Sequence, residues 1–236
     1  MINVLITGGS RGIGYELVKQ FAADANNYVV VLSRNIEKLE QLKQECTQLY
    51  QNTIHIHQVD FNSPALNHEL QTILAKENKH FHIVINNAGV LINKPFSETT
   101  TSDWQTIFTT NVFAPATLIK EVINCNNKNE QTHIVNISSM GGFQGSVKFA
   151  GLSAYSSSKA ALANLTEVLA EEYKGTNVKI NCLALGSVQT EMLQEAFPGY
   201  LAQVTAKEMA AYIVDFSLIG VRYFNGKVIP LSKYTP

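Results

Sequence analysis

The chain has 236 residues and 45% of them are hydrophobic, so it can build a packed core. Its 18 lysines and arginines nearly balance its 19 aspartates and glutamates, which leaves no broad basic field for nucleic acid or an acidic membrane surface. No apolar run approaches the roughly 20 residues of a membrane span, so we expect no membrane segment.

Targeting and metal signals are also missing from the sequence. The first residues form a strand-like run without the pattern of a signal peptide. The three cysteines are far apart and include no Cys-x-x-Cys pair, which gives neither a disulfide framework nor a zinc motif. We therefore predict a cytoplasmic protein with no bound metal.

Short apolar runs alternate with longer segments of helical period, which predicts βαβ units and a parallel sheet. Several runs are almost continuously apolar, as expected of strands covered by helices on both faces. The strands are predicted at residues 2–7, 28–33, 54–59, 82–87, 133–138, 178–184 and 227–231. Helices are predicted after the first two strands, from Ser63 and Pro64 to about Lys76, and over residues 101–123, 156–173 and 206–219.

These elements predict a single domain over residues 1–236, with no internal repeat or flexible linker. We expect an α/β Rossmann fold, a doubly wound parallel sheet of about seven strands with helices on both faces. The expected strand order is 3-2-1-4-5-6-7.

A glycine-rich turn follows the first predicted strand and leads directly into an amphipathic helix. Its sequence, Thr-Gly-Gly-Ser-Arg-Gly-Ile-Gly at residues 7–14, lets the backbone approach a pyrophosphate while the helix N-terminus offers free N–H groups. The spacing differs from the commoner Gly-x-Gly-x-x-Gly, and a tight turn without a ligand is the alternative. The turn predicts a dinucleotide site that includes Gly8, Ser10, Arg11, Gly12, Ile13 and Gly14.

The end of the second predicted strand indicates which dinucleotide binds. An NAD site is expected to place a carboxylate about 20 residues after the glycines, but this chain has Ser33 and Arg34 there. Two guanidinium groups, from Arg11 and Arg34, could hold the 2′-phosphate of NADP(H), although both could also be solvated surface arginines. We predict that NADP(H) is preferred over NAD(H).

Tyr155 and Lys159 lie four residues apart at the start of a predicted helix, so they share one helix face. A phenol has an ordinary pKa near 10, and a neighbouring ammonium together with the helix dipole would lower it. Such a pair is common by chance. It gains meaning from Ser138 and Ser139, which end an apolar strand at the carboxyl edge of the sheet, where ligands of open α/β sheets bind. Of these two, Ser139 is expected to face the substrate and Ser138 to point away.

Together these motifs resemble the short-chain dehydrogenase/reductase family, over nearly the whole chain. The matching segments are the turn at residues 7–14, Asn-Asn-Ala-Gly at 86–89 and Tyr-Ser-Ser-Ser-Lys at 155–159. The resemblance implies that Asp60 and Phe61 border the adenine, that Asn87 contacts a ribose, and that Val188 and Thr190 face the nicotinamide. It also implies that Asn111 helps to hold a proton-relay water.

The activity implied by the resemblance is reduction of a ketone or aldehyde by NADPH, reversible as alcohol oxidation. Tyr155 would protonate the oxygen, Ser139 would polarise it, and Lys159 would tune Tyr155 and hold a ribose. The substrate is expected to be a small-molecule carbonyl or alcohol, such as a 3-oxoacyl thioester. The family also implies a homodimer or homotetramer formed through helices 101–123 and 156–173.

The sequence departs from the family pattern in three places. Residues 140–154 form a longer loop than usual, Leu185 replaces a proline, and the segment that covers the substrate, about 191–200, is short. Phe143, Phe149, Leu185, Met192 and Phe197 could line the substrate site or could be ordinary packing residues. Two other functions stay open: a non-catalytic NADPH-binding sensor or scaffold, and a sugar-nucleotide epimerase or dehydratase, for which the chain looks too short.

Overall fold

The computed structural model describes residues 1–233. Seven strands form one parallel sheet: β1 (Asn3–Thr7), β2 (Tyr28–Ser33), β3 (His55–Gln58), β4 (Ile83–Asn86), β5 (Thr132–Ser139), β6 (Val178–Leu185) and β9 (Val228–Leu231). Two short strands, β7 (Val188–Gln189) and β8 (Val204–Thr205), pair separately. The order in the large sheet is β3-β2-β1-β4-β5-β6-β9, which confirms the predicted order, with β9 as the seventh strand.

Helices cover both faces of the sheet, as predicted. They are α1 (Gly12–Ala22), α2 (Ile36–Tyr50), α3 (Leu66–Glu77), α4 (Thr101–Phe108), α5 (Ala114–Cys125), α6 (Ser153–Glu172), α7 (Glu191–Ala196) and α8 (Ala206–Ile219). Every pairing within the sheet is parallel, so each strand returns through a crossover and the carboxyl ends of all seven strands share one edge. This edge is where the candidate site lies.

The continuously apolar strands feed two separate cores, one on each face of the sheet. In β1, Val4 and Ile6 point into the core beneath α1, α2 and α8, whereas Leu5 points into the core beneath α3 and α5. Successive side chains of a strand alternate between faces, so a strand covered on both sides needs no polar positions. Burial of each such side chain contributes roughly 1.5–3 kcal/mol.

Two predicted helix starts were wrong, and one predicted helix is interrupted. Helix α3 begins at Leu66, because residues 63–66 form a turn in which the N–H of Leu66 donates to the carbonyl of Ser63, three residues back. Helix α6 begins at Ser153, three residues before the predicted start, and this places Tyr155 in its first turn. The predicted helix over 101–123 is interrupted by a π-helical turn at Thr109–Phe113.

The π-helical turn has a local cause in the sequence. Pro115 has no N–H, so it cannot bond the carbonyl of Asn111 four residues earlier, as a continuous α-helix would require. The N–H of Ala114 instead reaches back five residues to the carbonyl of Thr109. Turns of this kind inside α-helices often mark functional sites.

Among the helices formed by residues 1–233, none has the length and apolar character needed to cross a membrane.

Candidate active site

A cavity of about 840 Å³ opens along the carboxyl edge of the sheet. It runs from the glycine turn after β1, past the ends of β2 and β4, to the end of β5 and the start of α6. All predicted cofactor-binding residues line it: Gly8, Ser10, Arg11, Gly12, Ile13, Gly14, Ser33, Arg34, Asp60, Phe61, Asn87, Tyr155, Lys159, Val188 and Thr190. Ser139 lines it as well, so one continuous space joins the glycine turn to the candidate reactive groups.

The glycine turn has a backbone that side chains would not tolerate. Gly8 has a φ of 75°, and a Cβ there would lie 2.8 Å from the Cα of Ala88. At Gly14 a Cβ would collide with the carbonyl oxygen of Gly8, so the start of α1 packs directly on the turn. The backbone is therefore exposed to the cavity without intervening side chains, as binding of a pyrophosphate requires.

Asn87, which follows the neighbouring strand β4, holds this turn in place together with Thr7. The Asn87 side-chain amide donates to the carbonyls of Thr7, at 3.0 Å, and Gly8, at 3.3 Å. The Thr7 hydroxyl accepts from the backbone N–H groups of Asn87 and Ala88. The donors of the Asn87 amide are therefore used to hold the turn, although its side chain still borders the cavity.

One end of the cavity lies beside Arg11 of the glycine turn and the end of β2. This end, the far end from Tyr155, carries several positive charges. Arg11, Arg34 and Lys38 all line it, and the Ser33 hydroxyl donates to Ser10 at 2.8 Å beside them. Asn35 caps α2 by accepting from the N–H of Lys38 at 2.8 Å, so the positive end of the helix dipole lies at the same place. Sequence reasoning missed Lys38. The signal available was its spacing of four residues from Arg34 across a helix start.

The segment after β3, the edge strand next to β2, gives the cavity a wall with polar and apolar side chains. Asp60 and Phe61 line the cavity here, and the Asp60 carboxylate accepts from the N–H of Asn62 at 3.0 Å. Asn62 in turn donates to the Thr110 hydroxyl at 2.8 Å, which ties this wall to the π-helical turn. Asn62 and Thr110 also border the cavity and were not predicted.

The other end of the cavity brings Ser139, Tyr155 and Lys159 together. The Ser139 hydroxyl interacts with the Tyr155 phenol, and the Lys159 ammonium lies 5.8 Å from the centre of the Tyr155 ring. Lys159 is only 4% exposed and donates to the carbonyl of Ile137 at 2.8 Å. The longer loop at residues 140–154 does not separate Ser139 from Tyr155, and Ser146 only hydrogen-bonds within that loop.

Ser138 and Ser139 differ in what they contact. Ser138 is buried and its hydroxyl donates to the carbonyl of Lys159 at 2.7 Å, so it fixes α6 to β5. The Ser139 hydroxyl accepts from the N–H of Gly141 at 3.1 Å and faces Tyr155. The two side chains thus have separate partners, as strand alternation predicts.

Burial controls the ionisation of the reactive pair. It lowers the pKa of the Lys159 ammonium from 10.5 to about 8, because the charged form loses solvation. It raises the pKa of the Tyr155 phenol above 10, and the Ser139 hydroxyl opposes this rise. The expected lowering of the Tyr155 pKa by Lys159 is not found, and Ser139 is the group that favours the phenolate.

Asn111 is fully buried and does not line the cavity. Its side-chain oxygen accepts from the N–H of Val90 at 2.8 Å, and its amide donates to the carbonyl of Val90 and to the Ser158 hydroxyl. The side chain therefore joins the segment after β4 to α6. Pro115 has no N–H, so the backbone carbonyl of Asn111 lacks the partner that a continuous α-helix would give it.

The substrate end of the cavity is mostly apolar. Leu185, Met192, Phe149 and Phe197 line it, as the sequence suggested, but Phe143 does not. Leu185 ends β6 and pairs with Ser139, so the strand forms without the family's proline. Thr190 caps α7 by accepting from the N–H of Leu193 at 3.2 Å, which places the short helix over the cavity.

One group of potential metal ligands within residues 1–233 lies away from the cavity, where β4 and β5 begin. His80, His82 and Glu130 place ligand atoms within 4.8 Å of one another. The Nδ1 atom of His82 accepts from the N–H of Asn3 at 3.0 Å, so the proton of the neutral ring must sit on Nε2, which faces Glu130. That nitrogen has no free lone pair, and the arrangement stabilises the neutral ring instead of a metal.

The cavity fits a dinucleotide. The glycine backbone of the turn allows close approach of a ligand. Cationic side chains line one end of the cavity, and Tyr155 and Lys159 line the other. Residues of the turn would hold the pyrophosphate of the dinucleotide, and Lys159 would reach the ribose that carries the nicotinamide ring.

Comparisons with known proteins agree with this geometry. The family model described as short chain dehydrogenase matches residues 3–201. The 3-oxoacyl-[acyl-carrier-protein] reductase FabG of Aquifex aeolicus is 29% identical over 97% of this chain and 94% of that protein. Human retinol dehydrogenase 8 is 32% identical over 98% of this chain and 70% of that protein.

Solved structures give the same result. A short chain dehydrogenase from Salmonella enterica serovar Typhi is 27% identical, with a TM-score of 0.87 over 97% of this chain and 95% of that one. A chain from Escherichia coli CFT073, complexed with NADPH, has the same identity, TM-score and coverage. With a family match over residues 3–201 and a cavity that carries the family's motifs along one sheet edge, this chain belongs to the short-chain dehydrogenases.

Proposed function

We propose that the protein is an NADP(H)-dependent oxidoreductase that reduces a ketone or aldehyde to an alcohol, and that catalyses the reverse oxidation. The observation that carries the proposal is that Ser139, Tyr155 and the buried Lys159 line the same cavity as the glycine turn, with the Lys159 ammonium 5.8 Å from the centre of the Tyr155 ring. A binding protein would not need this acid and base pair next to a dinucleotide site.

The preference for NADP(H) over NAD(H) is supported by charge. Three cations, Arg11, Arg34 and Lys38, line the far end of the cavity, and no carboxylate follows β2 where an NAD-binding chain would place one. A 2′-phosphate there would meet guanidinium groups and the N-terminus of α2. The NADPH complex of the Escherichia coli relative is consistent with this preference.

When bound, NADPH supplies a hydride for the carbonyl carbon. The Tyr155 phenol donates its proton to the carbonyl oxygen, and its raised pKa keeps that proton in place at neutral pH. The Ser139 hydroxyl donates to the same oxygen as negative charge develops. The Lys159 ammonium, fixed by the Ile137 carbonyl, stabilises the phenolate that remains.

Reprotonation of Tyr155 needs a path from solvent. We assign Asn111 to this path through its backbone carbonyl, because its side chain is used by Val90 and Ser158. The π-helical turn frees that carbonyl in a buried region beside α6, where a water could bridge to Lys159.

The substrate that fits the apolar end of the cavity is a carbonyl compound with a largely hydrophobic body, and 3-oxoacyl thioesters are the first class to test. The FabG relatives act on 3-oxoacyl groups by their names, and Leu185, Met192 and Phe197 provide an apolar lining here.

The test is NADPH consumption with 3-oxoacyl thioesters, diketones and aldehydes, with Tyr155→Phe as the blank. Turnover of at least one class, absent in the blank, is the expected result. Bound NADPH without turnover of any carbonyl would instead indicate the non-catalytic sensor.

Self-association and a cytoplasmic location belong to the same proposal. Phe113 and Val168 are more than half exposed on the two long helical segments, and Tyr223 and Ile219 are exposed near the end of α8. A homodimer or homotetramer would cover such side chains. Light scattering after size-exclusion chromatography would show the oligomer, and a monomer at micromolar concentration would contradict it.

The cytoplasmic location is supported by Cys46, Cys125 and Cys182, which are free thiols and suit a reducing compartment. Cell fractionation tests this location.

A further inference from the structure

One of the three cations at the far end of the cavity already has an anionic partner. The Arg11 guanidinium forms an ion pair with Glu195 of α7, with 2.6 Å between Nη1 and Oε1. Both residues line the cavity. Within residues 1–233, no side-chain partner is found for the charged groups of Arg34 or Lys38. Arg11 is therefore the cation for which a phosphate would have to compete.

A second carboxylate on α7 faces the same turn. An Oε atom of Glu191 lies 3.6 Å from the position that a Cβ would take on Gly12. Glu191 and Glu195 are four residues apart, so α7 presents two negative charges on one face to a turn built for phosphates. This face repels the phosphates that the turn attracts.

Helix α7 has few attachments to the rest of the protein, so an anion that competes for Arg11 can displace it. None of its six residues is buried. Apart from the ion pair, it is attached by Thr190 at its start and by the Asn93 amide, which donates to the carbonyl of Ala196 at 2.9 Å. The side chains of Arg11 and Glu195 are 40% and 63% exposed, and an ion pair with this exposure is screened and easily exchanged.

We propose that Glu195 is a specificity-determining residue: it competes with the 2′-phosphate of NADP(H) for Arg11, so that NADP(H), but not NAD(H), releases α7 from the glycine turn. This inference rests on the proposed function, because it requires NADP(H) to bind with its phosphate at Arg11. The consequence is that the identity of the cofactor controls the helix that covers the substrate end of the cavity.

The test is calorimetric titration of NADPH and NADH into the wild type and the Glu195→Gln variant. We expect the variant to bind NADPH about two- to five-fold more tightly, the range for an exposed ion pair, with no change for NADH. Two matched controls separate local from general charge effects. Glu191→Gln should tighten the binding of both cofactors equally, because Glu191 faces the turn that would hold the pyrophosphate they share. Glu171→Gln, in the last turn of α6 and exposed in an ion pair with Lys174, should change neither affinity.

A double-mutant cycle assigns the effect to Arg11. In an Arg11→Gln background, Glu195→Gln should no longer tighten NADPH. Amide hydrogen exchange of residues 191–196 provides a second readout: exchange in the wild type should be faster with NADPH than with NADH, and the Glu195→Gln variant should show no such difference.

Two failures are distinguishable. If the wild type binds NADPH but Glu195→Gln binds it no more tightly, or tightens NADH equally, the competition is refuted and the proposed function stands. If the wild type binds neither cofactor, both the inference and the proposed function are wrong.

Discussion

The two ends of the cavity use polar groups in opposite ways. At the reactive end, Lys159 is buried and hydrogen-bonded, and its pKa is lowered to about 8. At the far end, Arg11 is substantially exposed and Arg34 stands at the rim. Burial makes each polar contact expensive to lose, whereas exposure makes charges weak, screened by salt and adjustable. We therefore expect substitutions at the reactive end to have large effects on turnover, and substitutions at the far end to have small effects on cofactor affinity.

The largest expected effect comes from Tyr155→Phe, which removes one hydroxyl from the reactive end. Loss of a general acid lowers kcat by about 10²- to 10⁴-fold. The dissociation constant of NADPH should stay within about two-fold, since the far end is untouched. Stopped-flow NADPH oxidation and fluorescence titration measure the two quantities. Retained turnover would remove Tyr155 from the mechanism.

The effect of burial on a pKa is also seen at His133, a buried side chain outside the cavity. His133 in β5 is 1% exposed, its Nδ1 pairs with the carbonyl of Ser217, and its Nε2 accepts from the Asn181 amide. Burial lowers its pKa from 6.5 to about 4, so the unfolded chain binds the proton more readily between these values. The stability contributed by the neutral ring is present above pH 6.5 and is lost as the pH falls towards 4.

The expected loss is about 3 kcal/mol of unfolding free energy between pH 7 and pH 4. His133→Gln should remove this part of the pH dependence, whereas the exposed His68→Gln should leave it unchanged. Urea unfolding at the two pH values measures it. Parallel pH curves for the wild type and His133→Gln would show that His133 is not the titrating group.

At the far end, Arg34→Gln should weaken NADPH binding about five- to ten-fold without affecting NADH, because an exposed charged hydrogen bond contributes about 1 kcal/mol. Titrations at low and high salt measure it, and the difference between the cofactors should shrink as salt rises. Arg222→Gln, exposed in the turn after α8 and absent from the cavity lining, is the control. Equal affinities of the wild type for NADPH and NADH would refute the phosphate site.

The smallest effect is expected for Lys38→Gln. Its ammonium is a flexible point charge without the bidentate geometry of a guanidinium, so NADPH should weaken by only about two-fold. The same titration measures it. A loss as large as that of Arg34→Gln would mean that the phosphate sits deeper on the N-terminus of α2.

The sheet and most of the cavity were predictable because they follow from local patterns. Continuous apolar runs indicated the strands. Glycine and serine motifs at strand ends, and the tyrosine motif at the start of α6, indicated residues that line the cavity. The start of α3 was wrong because proline and serine also favour turns, and the ion pair of Arg11 with Glu195 was missed because it joins residues 184 positions apart. The predicted lowering of the Tyr155 pKa was wrong because burial raises it, and the four-residue spacing of Tyr155 and Lys159 does not indicate how deeply the phenol is buried.

The hydrogen bonds between β5 and α6 determine which parts of the cavity can be altered by substitution. Ser138 donates to the carbonyl of Lys159, and Lys159 donates to the carbonyl of Ile137, so strand and helix are linked in both directions. The reacting groups thus keep their spacing whatever occupies the apolar end. Substitutions in α7, which contributes Met192 to the apolar end, can change that end without disturbing a core, since none of the residues of α7 is buried.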